Sequence, residues 1–161
     1  MNEHVKVSYL IDIPEALPQL VQWFIEAWSP HYGPSGIGDA RADLVSYSRR
    51  DGLPVALVAQ SGNDKLLGVA ALKPVSLPSH EHLGPWLGAL LVTPGERGKG
   101  IATVLIGAIE AEARRQGITV LYSDTVCTST MLSRLGWQAI EENVPTLRDQ
   151  VTIYRRDLSK N

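Results

Sequence analysis

The sequence predicts an α/β (α+β) fold, a mixed central β-sheet flanked by helices, and three stretches carry that prediction. An apolar run, Leu87 to Val92, leads through Arg97-Gly98-Lys99-Gly100-Ile101-Ala102 into a long apolar-rich segment ending near Gln116. Pro54 to Gln60 and Lys65 to Pro74, joined by Ser-Gly-Asn-Asp, read as a hairpin. Beyond Gly117, the strand Thr119 to Asp124 follows a helix, and a right-handed crossover lays it parallel to Leu87–Val92.

The elements follow in order. Lys6 to Ile11 is β-prone, and Pro14 suits the first turn of a helix reaching Trp28. Residues 29–36 are turn-rich, after which Asp39 opens a second helix with an acidic first turn; it runs to Arg49 and ends before Asp51-Gly52. The hairpin comes next. Leu87 to Val92 lacks polar alternation, as expected of a central strand covered on both faces. In the helix from Gly98 to Gln116, Ala102, Leu105, Ile109 and Ala113 share one face, thickened by Val104, Ala108 and Ala111. Thr103, Gly107, Glu110 and Arg114 make its polar stripe, with Glu110 and Arg114 as an i,i+4 pair. Gly117 stops this helix, and Arg148 to Arg156 supplies the last strand.

A chain of 161 residues with 44% hydrophobic content fits one domain over 1–161, undivided by any Pro/Gly/Ser-rich linker. Its net charge of -2, with both signs interspersed, gives no nucleic-acid footprint, so phosphate affinity has to be local. No signal peptide or membrane-length apolar run is visible, and the single Cys127 excludes an intramolecular disulfide; the expected location is cytoplasmic.

Strand, glycine turn and helix form an anion cradle. Glycines turn without a Cβ penalty and let a ligand come close, while free N–H groups and the helix dipole favour phosphate. A Walker A loop needs four residues between its first glycine and Gly-Lys-Ser/Thr, and no such string exists. A dinucleotide fingerprint would read Gly98-x-Gly100-x-x-Thr103, lacking its third glycine, although Asp124 imitates the ribose-binding acid. Thr93-Pro94-Gly95-Glu96 also separates the glycines from their strand, and too little chain remains for a doubly wound sheet.

Arg97, Gly100 and Ala102 instead fill the pattern Arg/Gln-x-x-Gly-x-Gly/Ala, and Arg134-Leu135-Gly136-Trp137 stands where a Lys/Arg-x-Gly-aromatic turn is usual. The segment resembles the acyl-coenzyme-A motif of the GNAT superfamily of N-acetyltransferases. The resemblance covers the second half of the chain by motif and the first half by element order. It implies a GNAT fold in which the two parallel strands, the fourth and fifth, splay apart so that pantetheine slots in like an extra strand. Backbone groups of Leu90, Leu91 and Val92 then bond the pantetheine amides. The pyrophosphate falls to the N–H groups of Arg97, Gly98, Lys99, Gly100, Ile101, Ala102 and Thr103. The Arg97 side chain serves the phosphates or a structural ion pair; Lys99 is a phosphate contact or a solvated loop lysine.

Acetyl transfer to an amine requires loss of the ammonium proton, a donor for the oxyanion and a proton for the departing thiolate. A main-chain N–H of Leu91 or Val92 suits the oxyanion. Nearest candidates for the base are Glu81 and Asp124, directly or through water. The superfamily commonly places a tyrosine acid four residues before its Gly-aromatic glycine, a position held here by Leu132, which has no proton to donate. Tyr122, Ser133, Ser129 or Cys127 would substitute, or thiolate leaves unaided. Tyr122 reads equally as a wall aromatic, and Cys127 as a small buried hydrophobe.

His80-Glu81-His82 in an extended segment puts both histidines on one face, but no Cys/His cluster accompanies them, so loop histidines and no metal are expected. Trp86 reads as core or acceptor-site wall, Trp23, Phe24 and Trp28 as core, and His31 and Tyr32 as acceptor-pocket lining. The resemblance thus implies transfer of acetyl from the cosubstrate acetyl-coenzyme A (acetyl-CoA) to a primary amine of a small molecule or peptide. No nucleic acid or membrane partner is expected, and the protein is a monomer or homodimer. A catalytically silent acyl-coenzyme-A sensor and a nucleotide-binding module are the alternatives.

Overall fold

The computed structural model describes residues 5–29, 31–126, 129–146 and 149–159. Seven strands form one mixed sheet in the order β1-β2-β3-β4-β5-β7-β6. They are β1 (Lys6–Tyr9), β2 (Val55–Gln60), β3 (Leu66–Lys73), β4 (Trp86–Val92), β5 (Val120–Val126), β6 (Gln138–Pro145) and β7 (Gln150–Asp157). All neighbours run antiparallel except β4 and β5, which are parallel.

Helices α1 (Leu17–Ala27) and α2 (Ala40–Ser46) cover one face, where Leu20, Phe24 and Leu44 pack on Ala56, Val58, Val69 and Ala71. The opposite face carries α3 (Ile101–Arg115) and the short α4 (Met131–Arg134). There Leu105, Ile106, Ile109 and Leu132 pack on Leu57, Leu72, Leu87 and Leu121. Because both faces are covered, every residue of β2 is buried and its sequence shows no alternation. A third cluster, Trp86, Val144, Val151 and Ile153, closes the end of the sheet where β6 and β7 lie.

Local chemistry sets the element ends. The Asp39 carboxylate accepts the Ala42 N–H at 3.0 Å, capping α2, which stops at Ser46 rather than Arg49. Pro14 opens a short 3-10 turn that runs into α1, so the α-helix starts three residues later than Pro14 suggests. After α3, Gly117 adopts φ +83°, its N–H donates to the Arg114 carbonyl at 3.0 Å, and Ile118 N–H donates to Ala113 at 2.9 Å. This pair of bonds is a Schellman stop.

Several expectations are corrected. The α3 helix begins at Ile101, not Gly98, because Gly98 and Gly100 take positive φ. Its buried side includes Glu110 and Glu112, whereas Val104 is 40% exposed and Ala111 is also outside. Glu110 does not pair with Arg114: it accepts the Trp137 indole N–H at 2.9 Å and lies 3.3 Å from the Arg156 guanidinium. Arg114 donates to the Leu158 carbonyl instead. β4 is not covered throughout, since Gly88 to Leu91 are half-buried. The strand β6 has no counterpart in the sequence reading, because only Val144 of its residues is buried. The last strand is seen from Gln150; Arg148 lies outside the described residues.

Candidate active site

The parallel pair sets the geometry. Among the described residues β4 and β5 share one bridge, Trp86 with Tyr122, supported by Tyr122 N–H donating to the Pro85 carbonyl at 3.0 Å. Directly beyond it the Ser123 hydroxyl donates to the Leu87 carbonyl at 2.8 Å. Past that point the strands separate.

On its other side β4 contains a bulge. Ala71 pairs with Gly88 and Val69 with Leu91, so Ala89 and Leu90 oppose Ala70 alone. Ala89 absorbs the extra residue at φ +52°, a conformation strained for a residue with a Cβ. A bulge breaks the regular ladder and re-aims the groups beside it, here at Ala89 and Leu90.

β4 leads through a 3-10 turn, Pro94–Glu96, into Gly98 and Gly100. Gly98 has φ +80° and Gly100 φ +83°, and a Cβ built on either would meet nothing within 4 Å. The left-handed turn thus faces open space at the N-terminus of α3, which has no side-chain cap. Val104 N–H donates to the Gly100 carbonyl at 3.1 Å, so the N–H groups of Ile101, Ala102 and Thr103 precede the first helical bond. Free N–H groups at a helix N-terminus are donors of the kind that favour an anion.

Arg97 forms no ion pair; its Nε donates to the Val92 carbonyl at 3.0 Å, and its terminal nitrogens have no protein partner among the described residues. Lys99 and Lys65 both reach Glu96, at 3.3 and 3.1 Å, and hold its carboxyl below the usual range. Facing this turn, Trp23, Glu26 and Ala27 of α1 join Leu91, Val92, Thr93, Pro94 and Arg97 around a groove of about 270 Å³. Trp23 is therefore not simply core, as expected; Phe24 is.

A second set of polar groups surrounds Asp124 on the α1/α2 face. Burial pushes the Asp124 carboxyl up, against the opposing effects of Lys73 and of Ser76, whose hydroxyl lies 3.5 Å away. Burial likewise lowers the Lys73 ammonium, against the fields of Asp43 and Asp124. The Tyr32 hydroxyl donates to Asp43 at 2.5 Å, and burial beside Asp43 pushes the Tyr47 phenol up to about 12. Sequence reading missed Lys73, Asp43 and Ser76; the available signal was a lysine ending the otherwise apolar β3.

The other candidates are dispersed. Tyr122 is half-buried, its ring 5.8 Å from that of Trp86, while Trp86 is core and donates to the Leu83 carbonyl. Glu81 is exposed in the turn before β4 and makes no hydrogen bond or ion pair among the described residues. Its neighbours do not form an extended face: His80 ends a 3-10 turn, stacks on His82 at 5.7 Å and bonds Glu141 at 2.8 Å and Ser79 at 2.7 Å. Tyr32 meets His31 edge-on, with ring centroids 4.6 Å apart, and lies 5.8 Å from the Phe24 ring. Leu132 is 2% exposed in the main core, Ser133 is exposed, and Ser129 donates its N–H to Val126. Cys127 lies outside the described residues.

The model of the Acetyltransferase (GNAT) family matches residues 17–132. The chain belongs to the GNAT acetyltransferase family. As a member it is an acyltransferase, and its parallel β4 and β5 in a seven-stranded mixed sheet are the family's architecture. The fold is similar to that of an aminoglycoside 6'-N-acetyltransferase complexed with coenzyme A, with TM-score 0.72 and 17% identity over 95% of this chain and 97% of that one. It is also similar to a GCN5-related N-acetyltransferase from Kribbella flavida, with TM-score 0.70 and 19% identity over 95% and 97%. An N-acetyltransferase from Staphylococcus aureus gives TM-score 0.71 and 17% identity over 97% and 99%. No curated protein matches the acetyltransferase. Among its described residues no helix is long and apolar enough to cross a membrane, and no three His, Cys, Asp or Glu cluster as metal ligands.

Proposed function

We propose that this acetyltransferase moves the acetyl group of acetyl-CoA to a primary amine, and that the opening between β4 and β5 beyond Trp86 and Tyr122 is where it does so. The observation carrying the reading is that β4, which among the described residues shares only the Trp86–Tyr122 bridge with β5, leads straight into the Gly98/Gly100 turn, where a Cβ would meet nothing within 4 Å.

The residues present fit the cosubstrate. N–H groups from Arg97 to Thr103, with the free end of the Arg97 guanidinium, hold the pyrophosphate; Lys99, bound to Glu96, adds a screened charge. Main-chain groups of Leu90, Leu91 and Val92 orient the pantetheine amides, as an added strand is held. Acetyl-CoA supplies an acyl group on a thiol leaving group. An N–H of Leu91 or Val92, beyond the bulge, supports developing negative charge on the acyl oxygen.

Asp124 is the proposed base. Its largely buried carboxyl, shifted upward, stands nearer the operating pH than an ordinary aspartate and so accepts the amine's proton more effectively. Glu81 is an exposed alternative that would act through water. Tyr122 is the proposed proton donor to sulfur, by its place at the last bridge. The acceptor is an amine of a small molecule or peptide.

Purified protein incubated with acetyl-CoA and a panel of amines, small amines, polyamines, aminoglycosides and peptide N-termini, should release free thiol with at least one of them. Acetyl-CoA should also raise the melting temperature, because a ligand selective for the native state stabilises it by mass action. A raised melting temperature with no thiol release across the panel would favour a silent acyl-coenzyme-A sensor, a reading to which the proton-inert Leu132 lends support.

A further inference from the structure

We propose that the enzyme acetylates itself on Lys73, whose ε-amine crosses Gly88 at the opening between β4 and β5, with Asp124 receiving the amine's proton. The inference rests on the reading of that opening as the acetyl-CoA site.

Lys73 is the last residue of β3 and pairs with Trp86, the residue of β4 that makes the last bridge to β5. Its side chain lies along Gly88: a Cβ there would stand 3.1 Å from Lys73 Cδ and 3.9 Å from Nζ. The missing side chain at 88 is what lets a lysine lie across the strand just past the last bridge. Lys73 is half-buried, and among the described residues its amine has no hydrogen bond or ion pair. Two carboxylates act on it, Asp43, already engaged by Tyr32, and Asp124, approached by Ser76. A half-buried ammonium without a direct partner gives up its proton more readily than one in water, and the neutral amine is the nucleophile.

Other lysines differ on each count. Lys6 is paired with Asp64, Lys65 and Lys99 with Glu96, and their side chains are 52%, 65% and 60% exposed. They are ion-paired and solvated, which makes them internal controls.

The chemistry balances. The Lys73 ammonium, which has no direct bond to Asp124, gives one proton to that carboxylate through a bridging water; its lone pair then forms an N–C bond to the thioester carbonyl carbon as the C–S bond breaks. A second proton leaves nitrogen for the departing thiolate. Lys73 ends as a neutral N-acetyl amide, coenzyme A as the thiol, and Asp124 returns its proton to solvent.

The test incubates purified protein with acetyl-CoA and no amine acceptor, then maps acetylated peptides by mass. Lys73 should gain one acetyl group per chain, at a first-order rate independent of protein concentration and ahead of Lys6, Lys65 and Lys99. Lys73→Arg should lose that acetyl group, and Asp124→Asn should slow its appearance by about 100-fold, the scale of one general base. Melting curves are recorded on the same samples. Melting temperature raised by acetyl-CoA with Lys73 unmodified, or modified no faster than Lys65, would overturn the inference and leave the acetyl-CoA reading standing. No thermal shift and no modification would overturn both. Equal labelling of Lys73 by a small acetyl thioester lacking the nucleotide would also overturn it, by showing plain chemical reactivity.

Discussion

The Ser123 hydroxyl donates to the Leu87 carbonyl at 2.8 Å, one residue past the Trp86–Tyr122 bridge that ends the β4–β5 ladder. A side chain thus replaces a backbone bond at the point where the strands part, and the buried carbonyl is satisfied without continuing the ladder. Ser123 is 4% exposed. Ser123→Ala is expected to cost roughly 1–3 kcal/mol, since it leaves a buried acceptor unpaired. Denaturant unfolding should show a lower midpoint with unchanged slope; an unchanged midpoint would mean that water reaches Leu87 freely.

The glycine turn makes a ranking testable. Gly100 sits at φ +83° with open space before it, while Lys99 is an exposed partner of Glu96. Gly100→Val should cost about 1–2 kcal/mol through left-handed strain and largely abolish acetyl-CoA binding, because the branched side chain fills the approach to the helix N-terminus. Lys99→Ala should weaken binding only slightly. Calorimetric titration giving equal losses for the two variants would refute the ranking.

Much of this turn was legible because its chemistry is local. Glycines at positive φ, a helix start and a preceding apolar strand leave marks within a few residues, so the β4–α3 unit, the hairpin and the parallel crossover follow from pattern alone. Long-range partners leave no such mark. Glu110 reads as part of a polar stripe until Trp137 and Arg156, brought in from later elements, bury it. β6, with its Glu141, Glu142 and Asn143, carries no strand signal and is held by pairing with β7. Lys73 and Asp124 lie on separate strands, and Asp43 on α2; only the fold reveals that they share one electrostatic environment.

Leu132, at the position to which the GNAT resemblance assigns a tyrosine, is 2% exposed in one core cluster with Leu121, Ile106 and Trp137. Leu132→Tyr would force a larger ring into a packed core at about 1–3 kcal/mol, with its hydroxyl in apolar surroundings. Melting temperature should fall, and thiol release per folded molecule should not rise. A faster variant with unchanged melting would show instead that the hydroxyl reaches the opening, and would make the leucine a simple loss of the acid.

Asp124 ties the pH dependence of rate to that of stability. Its carboxyl is pushed above the ordinary value mainly by burial, so the folded protein binds its proton more tightly than the unfolded chain does. The stabilising contribution of the protonated form is complete below the unfolded pKa, near 3.9, and is lost as pH rises through the higher folded value. Above the folded pKa the ionised carboxylate therefore weakens the fold while serving as the base. Asp124→Asn should lower kcat/KM by about 100- to 10,000-fold and remove its acid limb, which in the wild type lies above the ordinary carboxylate range. The same variant should melt no lower than wild type at neutral pH and lose any advantage below the folded pKa. In the absence of acetyl-CoA, Lys73→Gln should move the Asp124 titration further up, because the Lys73 charge lowers the Asp124 pKa. A structural aspartate would behave oppositely, with Asp124→Asn melting lower at neutral pH and full activity per folded molecule, and that pair of results would return the role of base to Glu81.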